Sequence, residues 1–114
     1  MCGIAGIHAY LDVAPPVDRV ELKRINDRMA ARGPDGNGLW LAGDGRTGLA
    51  HQRLAIIDLS EAGAQPMHSA CGRYAITFNG EIYNYRELRE ELAARGHAFR
   101  SGSDTEVLLQ LYAD

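Results

Sequence analysis

Cys2 is the residue whose type and position most directly suggest chemistry, because it follows the initiator methionine. Removal of Met1, which a small second residue permits, would leave a thiol and a free α-amine on one residue. A terminal α-amine and a cysteine thiol ordinarily have similar pKa values, both about 8. A proton can therefore pass between them near neutral pH without a histidine. The pattern therefore indicates a cysteine nucleophile with its own base. Position two alone favours a simpler interpretation, a small apolar residue that begins a buried strand.

Three polar positions further along the chain could serve such a nucleophile. Attack on a carbonyl needs donors for the oxyanion and groups that orient the substrate. Asn79-Gly80 could place a side-chain amide and an unhindered backbone N–H on one oxygen. Arg53 could bind a carboxylate, and Asp104 could pair with an ammonium group. Together with Cys2 they describe a receptor for a free amino acid whose side-chain carbonyl meets a thiol.

Each of these positions also has a purely structural interpretation. Asn-Gly after a strand is most often a simple turn. Arg53 could be a partner for Asp58 or a solvated strand end, and Asp104 could favour the positive end of a helix dipole. The residues alone therefore do not decide between the two interpretations.

Composition narrows the function class. The 114 residues form one domain at most, with 46% hydrophobic and 24% charged residues, which is typical of a globular protein. A net charge of -3 without a basic run argues against nucleic-acid binding, and no apolar stretch is long enough to span a membrane. Without a signal-peptide pattern, we expect a cytoplasmic protein in which both cysteines are free thiols. The absence of a CxxC motif and the four scattered histidines predict no metal site.

The hydrophobic pattern predicts an α+β protein. Strands are expected at residues 3–10, 39–41, 47–53 and 74–78, and helices at 18–31, 85–95 and from 103 onward. The glycine-rich residues 32–38 are expected to form neither helix nor continuous strand, and residues 59–71 a loop. Residues 43–48 match GxGxxG, but the strand-like sequence that follows argues against a dinucleotide site. The last helix has no stop signal, so we expect the chain to be part of a longer protein.

Six segments in this order resemble the amino-terminal glutaminase domain of glutamine-dependent asparagine synthetases. They are residues 1–4, 32–35, 51–58, 63–66, 79–84 and 103–106. That family consists of class II glutamine amidotransferases with the N-terminal-nucleophile hydrolase fold, a four-layer α/β/β/α sandwich. The resemblance implies that residues 1–114 form part of this domain, which itself needs no cofactor. It also implies a following synthetase domain that uses ATP and Mg²⁺ to make asparagine, and it allows a homodimer of the full-length protein.

The resemblance also implies a role for each site residue. It assigns catalysis to Cys2 as nucleophile and to Asn79 and Gly80 as oxyanion hole. The residues that it assigns to L-glutamine binding are Arg53, Leu54, Ile56, Asn79, Gly80, Glu81 and Asp104. Among them, Arg53 would bind the α-carboxylate and Asp104 the α-ammonium group, while the turn at residues 32–35 would shape the floor or entrance of the site.

Two other functions remain open at this point. The chain could serve another class II amidotransferase, with a sugar, phosphoribosyl or cell-surface product, because the acceptor is chosen by a different domain. It could also be a non-catalytic module that keeps the glutamine pocket. An electrophilic glutamine analogue separates enzyme from binder, since only an enzyme should be alkylated on Cys2.

Overall fold

Three antiparallel strands form the main sheet of the computed structural model, which describes residues 1–114. Strand β3 (Thr47–Arg53) lies between β1 (Gly3–His8) and β2 (Gly36–Leu41). The register pairs Gly3 with Gln52 and Gly36 with Arg53. The residue before β1 therefore lies beside the end of β3.

The second half of the chain adds two very short strands and two helices. Strands β4 (Met67–His68) and β5 (Ala75–Ile76) pair antiparallel, and helices α2 (Tyr85–Ala94) and α3 (Asp104–Ala113) pack against each other. Together with α1 (Arg19–Arg28), these elements confirm the predicted α+β class. No helix combines the length and the apolar character that crossing a bilayer requires.

Helix α1 is fixed to the main sheet by both apolar and polar contacts. Asp18 caps its start by accepting a hydrogen bond from the backbone N–H of Val20, and Leu22 is fully buried. The side chain of Gln52 donates to the carbonyl of Asn26 at 2.9 Å, and the Asn26 side chain donates to the carbonyl of Gly38 at 3.3 Å. These buried bonds join α1 to both β2 and β3. The helix ends at Arg28, earlier than predicted, and a 3₁₀ turn (Ala30–Arg32) follows.

The prediction that residues 32–38 form no strand was wrong for its second half. Gly36 to Gly38 belong to β2, because their backbone pairs with residues 51–53 of β3. The backbone of Gln65 passes so close to Gly38 that no side chain fits there: a Cβ atom on Gly38 would lie 1.9 Å from the carbonyl oxygen of Gln65. Gly38 therefore marks a place where neighbouring backbone crosses the strand, and it does not mark the end of the strand.

The strand predicted at residues 74–78 is shorter than expected. Only Ala75 and Ile76 pair with β4, and the chain leaves the ladder before Phe78. Side chains replace the missing backbone partners: Thr77 donates its hydroxyl to the carbonyl of Ala50, and the Phe78 N–H donates to Gln65. Alternation of residue types cannot reveal this change of partner.

The two carboxy-terminal helices begin near the predicted positions, and α2 also ends near its predicted end. Gly96, with φ +97°, ends α2, and Ser103 caps α3 by accepting from the N–H of Thr105. Glu106 departs from the capping box, in which its carboxylate would bond to the N–H of Ser103. It instead accepts from the N–H groups of Arg100 and Ser101, and so holds the loop before the helix.

We expect Gly33→Ala to destabilise the protein strongly. A Cβ atom on Gly33 would lie 2.3 Å from the carbonyl carbon and oxygen of Gln52, which are backbone atoms of the central strand and cannot rotate away. Overpacking of this kind typically costs about 1–3 kcal/mol or more. Urea unfolding measures the loss. Gly43→Ala is the matched control, because its Cβ would meet nothing within 4 Å; equal unfolding midpoints for the two variants would contradict the prediction.

Candidate active site

One cleft brings together all eight residues that the sequence analysis assigned to a site. Its walls come from the two residues before β1, the end of β3 and the loop after it, the loop after β5 and the start of α3. The eight residues are Cys2, Arg53, Leu54, Ile56, Asn79, Gly80, Glu81 and Asp104. Residues that are more than fifty positions apart in sequence thus share one surface.

The thiol of Cys2 lies at the end of β3. Its Sγ accepts a hydrogen bond from the backbone N–H of Leu54 at 3.3 Å and lies 3.6 Å from the Leu54 carbonyl oxygen. Arg32 donates from Nε to the Cys2 carbonyl at 3.3 Å. Cys2 is half-buried, so the thiol is both held in place and accessible from the cleft.

Arg53 is held by the loop that follows it. One Nη atom donates to the carbonyl of Ser60 at 2.8 Å, and the other donates to the backbone carbonyl of Asp58. Gly63 lies directly against the guanidinium, because a Cβ atom there would come within 2.4 Å of Nη2. Asp58 is thus a partner of Arg53 through its backbone and not through its carboxylate. Two of the five N–H donors are used, so the others can still bind a carboxylate.

Asp58 joins this loop to the start of α3, a role that the sequence analysis did not assign. Its carboxylate accepts from the N–H and hydroxyl of Ser60 and from the N–H of Gly102, the last at 2.6 Å. These donors, the Ser60 hydroxyl foremost, lower the pKa of Asp58 below its ordinary value. Asp58 adopts φ +52°, a conformation that aspartate tolerates better than most residues. The spacing Asp-x-Ser was the available signal, since it favours a local side-chain turn.

Asp104 and Asn79-Gly80 face the cleft from opposite elements. Asp104 lies in the first turn of α3, is 6% exposed, and accepts from the Ile82 N–H through Oδ2 at 2.9 Å. The positive end of the helix dipole favours its charge, so the structural interpretation of Asp104 and the binding one are compatible. Asn79 is half-buried and Gly80 is exposed, and both lie outside the strand ladder.

The cleft also contains residues that the sequence analysis left without a role. They are Met1, His51, Ile57, Gly63, Gln65, Phe78, Ser103 and Thr105. His51 is fully buried, and its Nε2 lies 3.2 Å from the carbonyl oxygen of Phe78. Burial lowers the pKa of His51, and the positive charge of Arg53 lowers it further. The neutral ring therefore donates to this carbonyl. Both His51 and Gln65 occur in the matched segments, which was the only signal in the sequence.

A family model and individual relatives both relate this chain to glutamine amidotransferases. The chain matches, over residues 1–114, the family described as glutamine amidotransferase domain. It is 47% identical over 113 residues to asparagine synthetase [glutamine-hydrolyzing] 1 of Bacillus subtilis (strain 168), covering 98% of this chain and 17% of that protein. It is 44% identical over 115 residues to the probable asparagine synthetase [glutamine-hydrolyzing] of Dictyostelium discoideum, covering 100% of this chain and 20% of that one. The chain thus spans about a fifth of the length of these relatives.

Neutral His51 should make the stability depend on pH. Its pKa is lowered in the folded protein and returns to about 6.5 on unfolding. Between these values the unfolded chain binds more protons, so the contribution is full above pH 6.5 and is lost as the pH falls toward the folded value. Urea unfolding from pH 7.5 to 5 should show a steeper loss of stability for the unmodified protein than for His51→Gln. Equal slopes would contradict the assignment.

Proposed function

The chain belongs to the glutamine amidotransferase domain family, and on that premise we propose that it hydrolyses the side-chain amide of L-glutamine through a thioester on Cys2. One observation carries the proposal. The Cys2 thiol shares a cleft with an amide-glycine pair, an arginine and a buried aspartate, which are the groups that a free amino acid with a side-chain amide requires.

The nucleophile in this proposal is the Cys2 thiolate. After removal of Met1, the α-amine of Cys2 takes the thiol proton directly or through a water molecule. The sulfur attacks the side-chain carbonyl carbon of glutamine. The C–N bond then breaks as the α-ammonium group of Cys2 returns the proton to the leaving nitrogen. Ammonia leaves, and water hydrolyses the γ-glutamyl thioester to glutamate and the free thiol. The hydrogen bond from the Leu54 N–H to Sγ supports this role, because it holds the sulfur in place beside the cleft.

Asn79 and Gly80 form the proposed oxyanion hole. The side-chain amide of Asn79 and the N–H of Gly80 are donors at the edge of the cleft, outside any strand ladder. Donors that are fixed before the reaction stabilise the negative charge that develops on the carbonyl oxygen.

Charged groups that line the same cleft hold the amino-acid end of the substrate. We assign the α-carboxylate to the free donors of Arg53, and the α-ammonium group to Asp104, whose Oδ1 is not used by the Ile82 N–H. Glu81 and the backbone of Leu54 and Ile56 complete the pocket. A ligand that lacks either charged group should bind weakly, which makes the site selective for free glutamine over peptide-bound glutamine.

The destination of the ammonia is proposed from the relatives. Those compared above are called glutamine-hydrolysing asparagine synthetases, and this favours aspartate as acceptor over a sugar or a phosphoribosyl compound. In this proposal the chain is part of a four-layer α/β/β/α domain, coupled to a synthetase domain that uses ATP and Mg²⁺. A working thiol nucleophile suits the reducing cytoplasm, which is the location that we propose.

Intact-mass spectrometry tests the nucleophile directly. The purified protein should lack the mass of Met1, and an electrophilic glutamine analogue should add one adduct, which peptide mapping places on Cys2. Cys71 is the internal control for alkylation without binding, since it is an exposed thiol outside the cleft; excess glutamine should protect Cys2 and leave labelling of Cys71 unchanged. An active protein that retains Met1 would rule out the α-amine of Cys2 as the base. Failure of the analogue to label Cys2 would rule out glutamine hydrolysis through a thioester on this residue.

Asn79→Ala should lower glutaminase kcat about 100- to 1,000-fold, the usual effect of losing one oxyanion donor, with little change in stability. Ammonia release by the full-length protein measures the effect. Asn84→Ala is the matched control, because Asn84 is exposed and its side chain makes no capping bond at the start of α2. If Asn79→Ala keeps near-full activity, the assignment of Asn79 as an oxyanion donor is wrong.

A further inference from the structure

The side chain of Gln65 connects two parts of the cleft that are far apart in sequence. Its Oε1 accepts from the backbone N–H of Phe78 at 2.6 Å, and its Nε2 donates to the hydroxyl oxygen of Thr105 at 3.1 Å. One amide thus bonds to the residue before Asn79 and to the residue after Asp104. The amide supplies one acceptor and one donor, so it makes both bonds without placing a charge between the two segments.

The bond to Phe78 matters because the backbone there has no strand partner. Strand β5 ends at Ile76, so the Phe78 peptide is held by side chains alone. Gln65 accepts from its N–H, and His51 donates to its carbonyl at 3.2 Å. The position of the next two residues, Asn79 and Gly80, depends on this peptide.

The bond to Thr105 acts on the first turn of α3. Thr105 is buried in the first turn of α3, directly after Asp104, and the Asp104 carboxylate in turn holds the Ile82 N–H. A shift of this turn moves the carboxylate that we assign to the α-ammonium group.

Gln65 itself is fixed to the main sheet. Its carbonyl oxygen lies directly over Gly38 of β2, where a Cβ atom would come within 1.9 Å. The backbone of Gln65 therefore packs closely on β2, although the residue belongs to no helix or strand. A side chain on such a rigid base can transmit position, which a side chain on a loose loop cannot.

We propose that Gln65 is a positioning residue that couples the oxyanion donors Asn79 and Gly80 to the ammonium-binding carboxylate of Asp104. It touches neither the substrate nor the thiol in this role. It sets the distance between the group that stabilises the transition state and the group that binds the amino acid. The inference rests on the proposed glutaminase function, but the structural coupling is measurable without it.

Gln65→Met tests the coupling, because methionine has a similar length and makes neither bond. Misplacement of reacting groups by about 1 Å typically costs up to about 100-fold, so we expect kcat/KM for glutamine to fall roughly 10- to 100-fold. Both kcat and KM should change, since both halves of the site move. Gln110→Met is the matched control: Gln110 also makes two side-chain hydrogen bonds, to His97 and Ala98, but lies outside the cleft. Its kcat and KM should match those of the unmodified protein.

Amide hydrogen exchange supplies a readout that activity cannot. In Gln65→Met, exchange should become faster at Phe78, which loses its acceptor, and also at Ile82, whose acceptor is Asp104 and not Gln65. Faster exchange at Phe78 alone, with Ile82 unchanged, would overturn the coupling. In Gln110→Met both sites should exchange as in the unmodified protein.

Substitutions at Thr105 separate the two bonds. Thr105→Val removes the hydroxyl at nearly constant volume and should raise KM more than it lowers kcat. Thr105→Ser keeps the hydroxyl, so its KM should stay close to that of the unmodified protein. If Gln65→Met keeps normal kcat and KM while Cys2→Ala is inactive, the inference fails and the proposed function stands. If the unmodified protein does not hydrolyse glutamine, the proposed function fails, and hydrogen exchange still decides the coupling.

Discussion

The antiparallel pairing of β1 with β3 is the constraint on which the site depends. Its register brings Cys2 to Leu54, at the point where β3 ends. Because side chains alternate across a strand, a slip of one residue would turn the thiol to the other face of the sheet. Gly3 and Gly33 let the segment after α1 pack closely on these strands, since larger residues would collide with Met29 and with the backbone of Gln52.

Beyond the sheet, side chains bonded to backbone groups build most of the site. Asp58, Gln65 and Asp104 each accept from an N–H that lies at least thirteen positions away, at Gly102, Phe78 and Ile82. Loops carry the residues proposed for chemistry, and such loops have no ladder of their own. Buried or half-buried acceptors supply the missing order. The polar groups near the cleft are therefore structural and functional at once, and a variant there needs a control for stability.

Sequence analysis predicted the α+β class, strand β3, the second half of β2 and the three helices, because these follow from local hydrophobic periodicity and turn residues. All eight assigned site residues proved to share a cleft. The sequence alone did not predict that β2 begins at Gly36, that β5 has only two residues, or that Gln65 has a role. Each of these depends on contacts between distant segments, such as Gln65 with Gly38 and Phe78, and such contacts leave no local pattern.

The wide sequence separation of the groups in the cleft has a consequence for folding. Cys2 and Asp104 stand near opposite ends of the chain, and the bonds that close the cleft join residues up to 52 positions apart. Non-local contacts of this kind form late, because the entropy of loop closure must be overcome before they contribute. A growing polypeptide thus exposes its amino-terminal thiol while the rest of the site does not yet exist. Until the chain has passed Leu54, the sulfur lacks the backbone contacts that hold it in the folded protein.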